Sequence, residues 1–253
     1  MLRRLAGVWS GMAVALPEGA PSLEAATEKV RNGIPGLAEE PLLDGDGLRT
    51  AVAAIAEALA GVEGFEGAAS LGRRLLASAP DWDRLVPLAL GGTWDALEGL
   101  ERELAAEPEA IPALLDYAVR PTLRAAARGM QPVLADISWG RGACPACGAP
   151  PLLSVTTGKE ASRYLLCGRC GTSWSWSRTR CAACGEDDHR RLGYLHAPGE
   201  GDYRRAEVCD TCRSYLKTLS VLDLPDPDRL LRLDLESAGL DFMALEAGYS
   251  RRR

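Results

Sequence analysis

The residues best suited to chemistry in this sequence are its cysteines, because all eight occur as C-x-x-C pairs. The pairs fall within residues 144–212, and no cysteine precedes them. They are Cys144, Cys147, Cys167, Cys170, Cys181, Cys184, Cys209 and Cys212. Disulfides typically hold together small secreted chains, whereas paired thiolates in a chain of 253 residues are typical of metal sites in a reducing compartment. We therefore expect metal sites rather than disulfides.

The spacing predicts two metal ions. The pairs read C-x2-C-x19-C-x2-C, then ten residues, then C-x2-C-x24-C-x2-C, which indicates a duplicated unit of two knuckles. Two such knuckles joined by a hairpin supply four sulfur atoms in a tetrahedron. Chain order assigns the first four cysteines to site 1 and the last four to site 2. An interleaved pairing, of the first knuckle with the third and the second with the fourth, is the open alternative.

Glycine follows three of the four knuckles, at Gly148, Gly171 and Gly185, and Arg213 follows the fourth. A left-handed backbone at this position suits glycine, which has no Cβ to clash. Four thiolates leave no coordination position open, so each ion is expected to be structural and to supply folding free energy. Zinc is the usual occupant, and iron fits the same ligands and can carry one electron. Since four sulfur atoms suffice, His189 and His196 are not expected to be ligands.

The net charge and the sequence motifs argue against several classes of function. The sequence has 29 basic and 35 acidic residues, with a net charge of -6, which disfavours nucleic-acid binding. Phosphate-binding loops, dinucleotide fingerprints, nucleophile elbows and H-E-x-x-H are absent from the sequence, so none of these catalytic motifs assigns a reaction. The arginines of the cysteine region are expected to offset thiolate charge. The alternative is a binding edge formed by Arg178, Arg180, Arg190 and Arg191.

Two tryptophans stand out beside the third knuckle. Trp174 and Trp176 are two residues apart on a predicted strand and would share one face. Covering the metal sites is the expected role, and stacking on nucleic acid or anchoring a partner are the alternatives.

Residues 1–139 are expected to form a helical domain. Apolar residues recur every three or four positions in three stripes. These stripes are Val52-Ile55-Leu59-Val62, Trp94-Leu97-Leu100-Leu104 and Ile111-Leu114-Leu115-Ala118. Proline and glycine at Pro121 and at 129–132 are expected to interrupt the chain beyond the third stripe. The segment Met1–Leu16 is expected to belong to this domain rather than to a secretory signal, and the protein to be cytoplasmic with no membrane span.

Residues 140–217 are expected to form the metal module, divided at about 178/179, and residues 218–253 a closing helical segment. Short β-prone stretches occur around the knuckles. They are Leu152–Thr157, Tyr164–Leu166, Trp174–Arg178, Leu192–His196 and Tyr203–Val208. Asp226 and Pro227 predict the start of a closing helix, and Gly239 its interruption. The fold class is therefore α+β: a helical domain, two tandem rubredoxin- or zinc-ribbon-like four-cysteine units and C-terminal helices.

The cysteine module resembles the formate dehydrogenase accessory protein (FdhE-like) family. The resemblance rests on five segments, including Trp174 and Arg178 ahead of the third knuckle. The other four are Cys144-Pro-Ala-Cys-Gly148, Tyr164-Leu-Leu-Cys-Gly-Arg-Cys170, Cys181-Ala-Ala-Cys184 and Cys209-Asp-Thr-Cys-Arg-Ser-Tyr-Leu-Lys217. The tail Gly248-Tyr-Ser-Arg251 also looks like the end of the family pattern, whereas Ser175 stands where that pattern has histidine.

The resemblance implies a cytoplasmic, non-catalytic maturation factor. Such a factor would bind the catalytic subunit of a molybdenum- or tungsten-dependent formate dehydrogenase, and its rubredoxin-like knuckles would bind two iron or zinc ions. The partner-contact candidates are Trp174, Trp176, Arg178, Tyr215 and Lys217. A nucleic-acid-binding zinc ribbon and an iron redox carrier or sensor are the alternative functions.

Overall fold

The computed structural model describes residues 22–40, 42–91, 97–107, 109–134, 137–196 and 203–252. The expectations for Met1–Leu16 and Trp94 fall outside these residues. The chain divides into two compact units. One comprises Glu39–Ala126 among the described residues, and the other combines Ser22–Ala38 with the chain from Ala127 onward.

Helices precede the sheet along the chain, and two more helices follow it, so the α+β class is confirmed. The helices of the first half are α1 (Leu23–Arg31), α2 (Gly45–Leu59), α3 (Glu66–Ser78), α4 (Trp82–Leu90), α5 (Glu98–Glu103) and α6 (Ala110–Leu134). Aspartates cap two of them, since the Asp44 carboxylate accepts from the Gly47 N–H and the Asp81 carboxylate from the Arg84 N–H. Helices α2 and α3 approach closely where Gly72 meets Ala56.

Two of the predicted helical stripes lie in the core. Val52, Ile55 and Leu59 are buried on α2, but the helix ends before Val62, at a turn in which Gly61 has φ +72°. The stripe from Ile111 to Ala118 is buried on α6. Leu97 and Leu104 of the remaining stripe are buried at the two ends of α5.

Helix α6 corrects one expectation, because it continues through Pro121, Gly129 and Pro132 to Leu134. An interior proline removes one backbone hydrogen bond. The buried Leu123 continues the apolar face beyond Pro121, and this burial offsets the lost hydrogen bond.

A mixed sheet forms the centre of the second unit. Its strands are β1 (Leu153–Thr157), β2 (Ser162–Leu166), β3 (Ser173–Ser175), β4 (Leu192–Leu195), β5 (Arg204–Cys209), β6 (Ser214–Ser220) and β7 (Ser250–Arg251). The strand order is β3-β2-β1-β6-β5-β4, and β7 pairs with the first two residues of β6. Neighbouring strands are antiparallel except that β1 and β7 run parallel to β6. The parallel pairing of β1 with β6 makes one sheet from the two knuckle units.

Five of these strands overlap the predicted β-prone stretches, and β6 and β7 lie outside them. Strand β3 ends at Ser175, earlier than predicted, so Trp176 lies beyond it. The two tryptophans consequently differ in their environment: Trp174 is buried, whereas Trp176 is partly exposed.

The closing helices are α7 (Pro227–Glu236) and α8 (Ala238–Glu246). The Asp226 carboxylate accepts from the N–H groups of Asp228 and Arg229, as its predicted capping role requires. The break between the helices falls at Ser237 rather than Gly239, because the Ser237 hydroxyl donates to carbonyls at the end of α7. Both helices contribute to the apolar core on one face of the sheet. That core includes Leu153, Val155, Leu166, Ala206, Val208, Leu219, Leu230, Leu240 and Ala244.

In the part of the chain that the structure describes, none of the helices is both long and apolar enough to span a bilayer.

Candidate metal centres

Site 1 is formed by the first two knuckles. The sulfur atoms of its four cysteines all lie within 4.8 Å of one another. The Sγ atoms of Cys144 and Cys170 are 3.5 Å apart, as are those of Cys147 and Cys167. Metal–sulfur bonds of ~2.3 Å in a tetrahedron place sulfur atoms about 3.8 Å apart. The spacing at site 1 is close to that value, so an ion fits among these sulfur atoms with only small shifts.

Site 2 is formed in the same way by the last two knuckles. Its sulfur atoms also lie within 4.8 Å of one another, with Cys181 and Cys212 3.8 Å apart and Cys184 and Cys209 3.7 Å apart. The knuckles are thus grouped in chain order rather than interleaved. Both sites have the donor set and spacing that could hold an ion.

Three knuckles share one backbone pattern. In the first, the Gly148 N–H donates to the Cys144 carbonyl, and the Cys144 N–H donates to the Ala149 carbonyl. The same two bonds recur around Gly171 and Gly185. All three glycines have the positive φ predicted for them, between +78° and +81°.

The fourth knuckle has Arg213 at this position, with φ +53°. The left-handed backbone that glycine adopts freely is strained for arginine. Several contacts offset that strain: the guanidinium pairs with Asp210, donates to the carbonyls of Ala247 and Gly248, and lies over the Tyr249 ring.

Electrostatics at site 1 favour a cation. The pKa of Cys144 lies well above its usual value, first because of burial and then because of hydrogen bonds with the other cysteines. Those hydrogen bonds hold the pKa of Cys167 well below its usual value. The buried Cys144 thiol therefore holds its proton when no ion is present, and a divalent cation favours the thiolate form of the ligands. The residues present fit zinc or iron as a structural ion.

At site 2, a serine contacts one ligand. Burial raises the pKa of Cys212, but hydrogen bonds with Ser214 and neighbouring cysteines outweigh it and lower the pKa to about 7. The Sγ of Cys212 and the Oγ of Ser214 are 2.9 Å apart.

A carboxylate joins the two knuckles of site 2. Glu186 lies shortly after the third knuckle, and its carboxylate accepts from the N–H groups of Asp187 and Asp188. It also accepts from the Thr211 hydroxyl, with 2.6 Å between the two oxygen atoms. These bonds lower the pKa of Glu186, the Thr211 bond most strongly. Thr211 lies between the cysteines of the fourth knuckle. Glu186 therefore orients both knuckles although it is not one of the four candidate metal ligands.

Neither histidine belongs to the four-cysteine groups found among the described residues. His189 is exposed, and His196 stacks on Tyr194 with ring centroids 5.9 Å apart.

The five partner-contact candidates are not equally accessible. Trp174 is only 4% exposed and donates from its indole N–H to the Arg141 carbonyl. Tyr215 and Lys217 are also buried. Arg178 is exposed, and Trp176 is partly exposed with its indole N–H donating to the Arg180 carbonyl.

The burial of Tyr215 and Lys217 explains the Tyr-x-Lys spacing after the fourth knuckle. Lys217 Nζ lies 2.7 Å from an Asp241 carboxylate oxygen and 2.8 Å from one of Asp234. The Tyr215 hydroxyl donates to Asp241, and the Arg251 guanidinium pairs with both aspartates. Sequence reasoning missed Asp234 and Asp241, although it does single out Tyr215, Lys217 and the tail containing Arg251. We call this group of five the Lys217 cluster.

A second charged contact connects the two knuckle units. Arg163 on β2 is buried and pairs with Glu207 on β5, and its Nε donates to Ser154. Its Nη1 donates to the carbonyls of Ser177 and Arg180, which precede the third knuckle. Burial lowers the pKa of Arg163, and Glu207 counteracts that shift. A single guanidinium thus fixes the path between the two metal sites.

Two family models match the second half of the chain. Residues 143–178 match the family model "FdhE, central domain", and residues 179–253 match "FdhE, C-terminal domain".

Curated relatives resemble the chain over different lengths. "Protein FdhE homolog" of Stutzerimonas stutzeri (strain A1501) is 36% identical over 111 residues, which cover 43% of this chain and 35% of the relative. The match therefore spans about a third of that relative's length. "Protein FdhE homolog" of Edwardsiella ictaluri (strain 93-146) is 33% identical over 212 residues, covering 73% of this chain and 68% of the relative.

A solved structure resembles nearly the whole chain. "The crystal structure of the FdhE protein from Pseudomonas aeruginosa" aligns with 99% of this chain and 83% of its own, with a TM-score of 0.66 and 26% sequence identity.

Proposed function

Because this chain belongs to the FdhE family, we propose that it is an accessory protein that binds the catalytic subunit of a molybdenum- or tungsten-dependent formate dehydrogenase in the cytoplasm. The observation that carries the proposal is the similarity to the Edwardsiella ictaluri relative. That similarity covers 73% of this chain, which is more than the family models match at residues 143–253. It therefore includes part of the helical first half as well as the metal module.

The metal sites support a binding role rather than catalysis. Cys144, Cys147, Cys167 and Cys170 would hold one ion, and Cys181, Cys184, Cys209 and Cys212 the other. Zinc or iron held in this way supplies folding free energy, and four thiolates leave no open position for a substrate.

The fixed tail supports the same role. The Lys217 cluster joins β6 to α7, α8 and β7, and the Arg163–Glu207 pair joins β2 to β5. These contacts order the sheet around both ions before any partner arrives, and a preordered surface loses less entropy on binding.

Of the candidate contacts, we assign the direct ones to Trp176 and Arg178. They are two residues apart ahead of the third knuckle, and their side chains reach solvent. Partly exposed tryptophan and arginine side chains are frequent energetic centres of protein interfaces. Trp174, Tyr215 and Lys217 would act indirectly, by holding the knuckles and the sheet in place.

Affinity capture tests the proposal. Tagged wild-type protein is expected to recover the formate dehydrogenase catalytic subunit from cells that produce it. A Trp176→Ala/Arg178→Ala variant with an unchanged circular dichroism spectrum should recover less of it. Lys159→Ala, which removes another exposed cation of the same unit, is the matched control and should bind normally. Wild-type protein that captures no formate dehydrogenase subunit would refute the proposal.

Gene deletion gives an independent readout. We expect formate dehydrogenase activity to fall in the deletion strain and to return when the wild-type gene is restored. Unchanged activity in the deletion strain would contradict a role in maturation.

A further inference from the structure

We infer that the two metal sites exchange their ions at different rates: site 2 is the exchangeable centre, entered at Cys184, and site 1 retains its ion. The inference concerns the ligands of this chain and is independent of the partner that the protein serves. It rests on the unequal burial of two otherwise similar sulfur tetrads and on the segments that cover them.

The ligands differ in exposure. At site 1, Cys144 and Cys167 are 0% exposed, Cys170 is buried and Cys147 is half-buried. At site 2, by contrast, a single ligand is buried. Cys209 is buried, Cys181 and Cys212 are half-buried, and Cys184 is exposed to solvent. Site 2 thus offers an approach to the ion from one side that site 1 lacks.

A segment distant in sequence covers the first knuckle of site 1. The N–H groups of Gly36 and Leu37 donate to the carbonyls of Pro145 and Ala146, each at 2.9 Å. These carbonyls belong to the two residues between the cysteines of that knuckle. Pro35 lies against Gly148, where a Cβ would come within 3.2 Å of the proline ring. Opening this knuckle therefore requires residues 35–37 to separate from it.

Further contacts cover the rest of site 1. The Pro227 ring, at the start of α7, lies so close to Gly171 that a Cβ there would be 2.7 Å from it. The Trp139 indole N–H donates to the Ala143 carbonyl at 2.6 Å, next to the first ligand. Both knuckles of site 1 are thus held by chain outside the knuckles themselves.

The third knuckle, which contains Cys184, packs against Gly142 through the Ala182 carbonyl, but the side-chain hydrogen bonds that hold its turn lie at the surface. Its turn is linked to the fourth knuckle by the Glu186–Thr211 bond and to the preceding chain by Arg180, whose Nε donates to the Gly185 carbonyl. Both of these contacts are exposed to solvent. Exposed hydrogen bonds open at lower free energy than buried ones, so this turn is the part of the two sites most able to move away from its ion.

Exchange at site 2 would proceed by ligand substitution. Cys184 would be the first ligand exchanged: a donor atom of an incoming thiolate or chelator would replace its sulfur, which would take up a proton from water with no change of oxidation state. Cys181, Cys209 and Cys212 would then have to be replaced in turn before release.

The test uses full-length wild-type protein carrying two equivalents of zinc, challenged with excess 4-(2-pyridylazo)resorcinol. Zinc release should occur in two equal phases, the first at least about tenfold faster, which corresponds to ~1.4 kcal/mol in activation free energy. Cysteine alkylation followed by mass spectrometry, sampled between the phases, should label the ligands of site 2. A single phase, or early labelling of the ligands of site 1, would overturn the inference.

Matched variants separate the two sites. Cys147 and Cys184 are each the second cysteine of the leading knuckle of their unit. Cys184→Ser is expected to bind one equivalent of zinc and to release it only in the slow phase. Cys147→Ser should lose the slow phase. Because the ligands of site 1 belong to the core, this variant should also lose β-sheet signal in circular dichroism. Persistence of the fast phase in Cys184→Ser would count against the inference, whether or not Cys147→Ser folds.

Discussion

Gly142 and Ala182 approach so closely that no side chain fits at position 142: a Cβ built on Gly142 would lie 1.6 Å from the Ala182 carbonyl oxygen. Gly142 precedes the first knuckle, and Ala182 lies inside the third. The contact therefore sets the third knuckle directly against the entry to site 1. Glycine is needed here for space and not for a left-handed backbone, since Gly142 is not among the residues with positive φ.

Gly142→Ala is accordingly expected to destabilise the protein by about 1–3 kcal/mol, the usual range for overpacking a close contact. Urea denaturation of the metal-loaded protein measures the free energy of unfolding. Gly239→Ala is the control, because Gly239 lies in α8 with nothing within 4 Å of an added Cβ. That variant should be slightly more stable than wild type. Equal stabilities for the two variants would contradict the steric role of Gly142.

Lys217→Met is expected to destabilise the second unit by roughly 3–5 kcal/mol, because it leaves Asp234 and Asp241 with one cation fewer inside the Lys217 cluster. Lys217 is 1% exposed, so water cannot replace its two ion pairs without opening the fold. Chemical denaturation followed by tryptophan fluorescence reports the change. Lys159→Met, at an exposed lysine, should alter stability by no more than about 0.5 kcal/mol.

Two substitutions at Arg213 isolate the strain in the fourth knuckle. Arg213→Ala and Arg213→Gly both remove the contacts with Asp210, Tyr249 and the tail carbonyls, but only glycine also relieves the left-handed backbone at φ +53°. We therefore expect Arg213→Gly to be more stable than Arg213→Ala by about 1 kcal/mol. Thermal denaturation of the two metal-loaded variants makes the comparison. An alanine variant as stable as the glycine variant would show that the turn relaxes.

Tyr215 gives the Lys217 cluster a defined response to alkaline pH. Burial and the hydrogen bond to Asp241 raise the pKa of Tyr215 to about 12, against about 10 in an unfolded chain. The folded state thus holds this proton more tightly. The associated stability is fully present below pH 10 and is lost as the pH rises through about 12.

Tyrosinate absorbance, recorded as a function of pH, should contain a step near pH 12 that disappears in Tyr215→Phe. The same variant should lose less stability than wild type between about pH 10 and 12. Tyr203→Phe, which removes a ring that is 73% exposed, should leave the step in place. A wild-type titration without that step would show that the Tyr215 proton is not held by the fold.

Local rules predicted much of the knuckles and the closing helix. The three glycines have the expected left-handed backbone because the turn geometry is set within six residues. Asp226 caps α7 for a similarly local reason. The order in which strands and segments pack depends on distant residues, and there the sequence was less informative.

Strand β6 shows why. Its alternation of Tyr215, Lys217 and Leu219 contains a lysine, which normally indicates a solvent-facing position. Here Lys217 is buried because the carboxylates of Asp234 and Asp241 pair with its ammonium group, and these partners lie 17 and 24 residues further along the chain. The packing of residues 35–37 on the first knuckle was unpredicted for the same reason, since two backbone hydrogen bonds across more than a hundred residues leave no local pattern.

The parallel pairing of β1 with β6 also bears on the ancestry of the duplicated knuckles. Strand β1 belongs to the first unit and β6 to the second, and their residues pair from Ser154 with Thr218 to Thr156 with Ser220. Because β1 pairs with β6, separating the two knuckle units would leave an unpaired strand edge on each of them. Replacing one unit by a unit from another protein would therefore also require a strand that pairs with the remaining edge. We expect the two units to be inherited together.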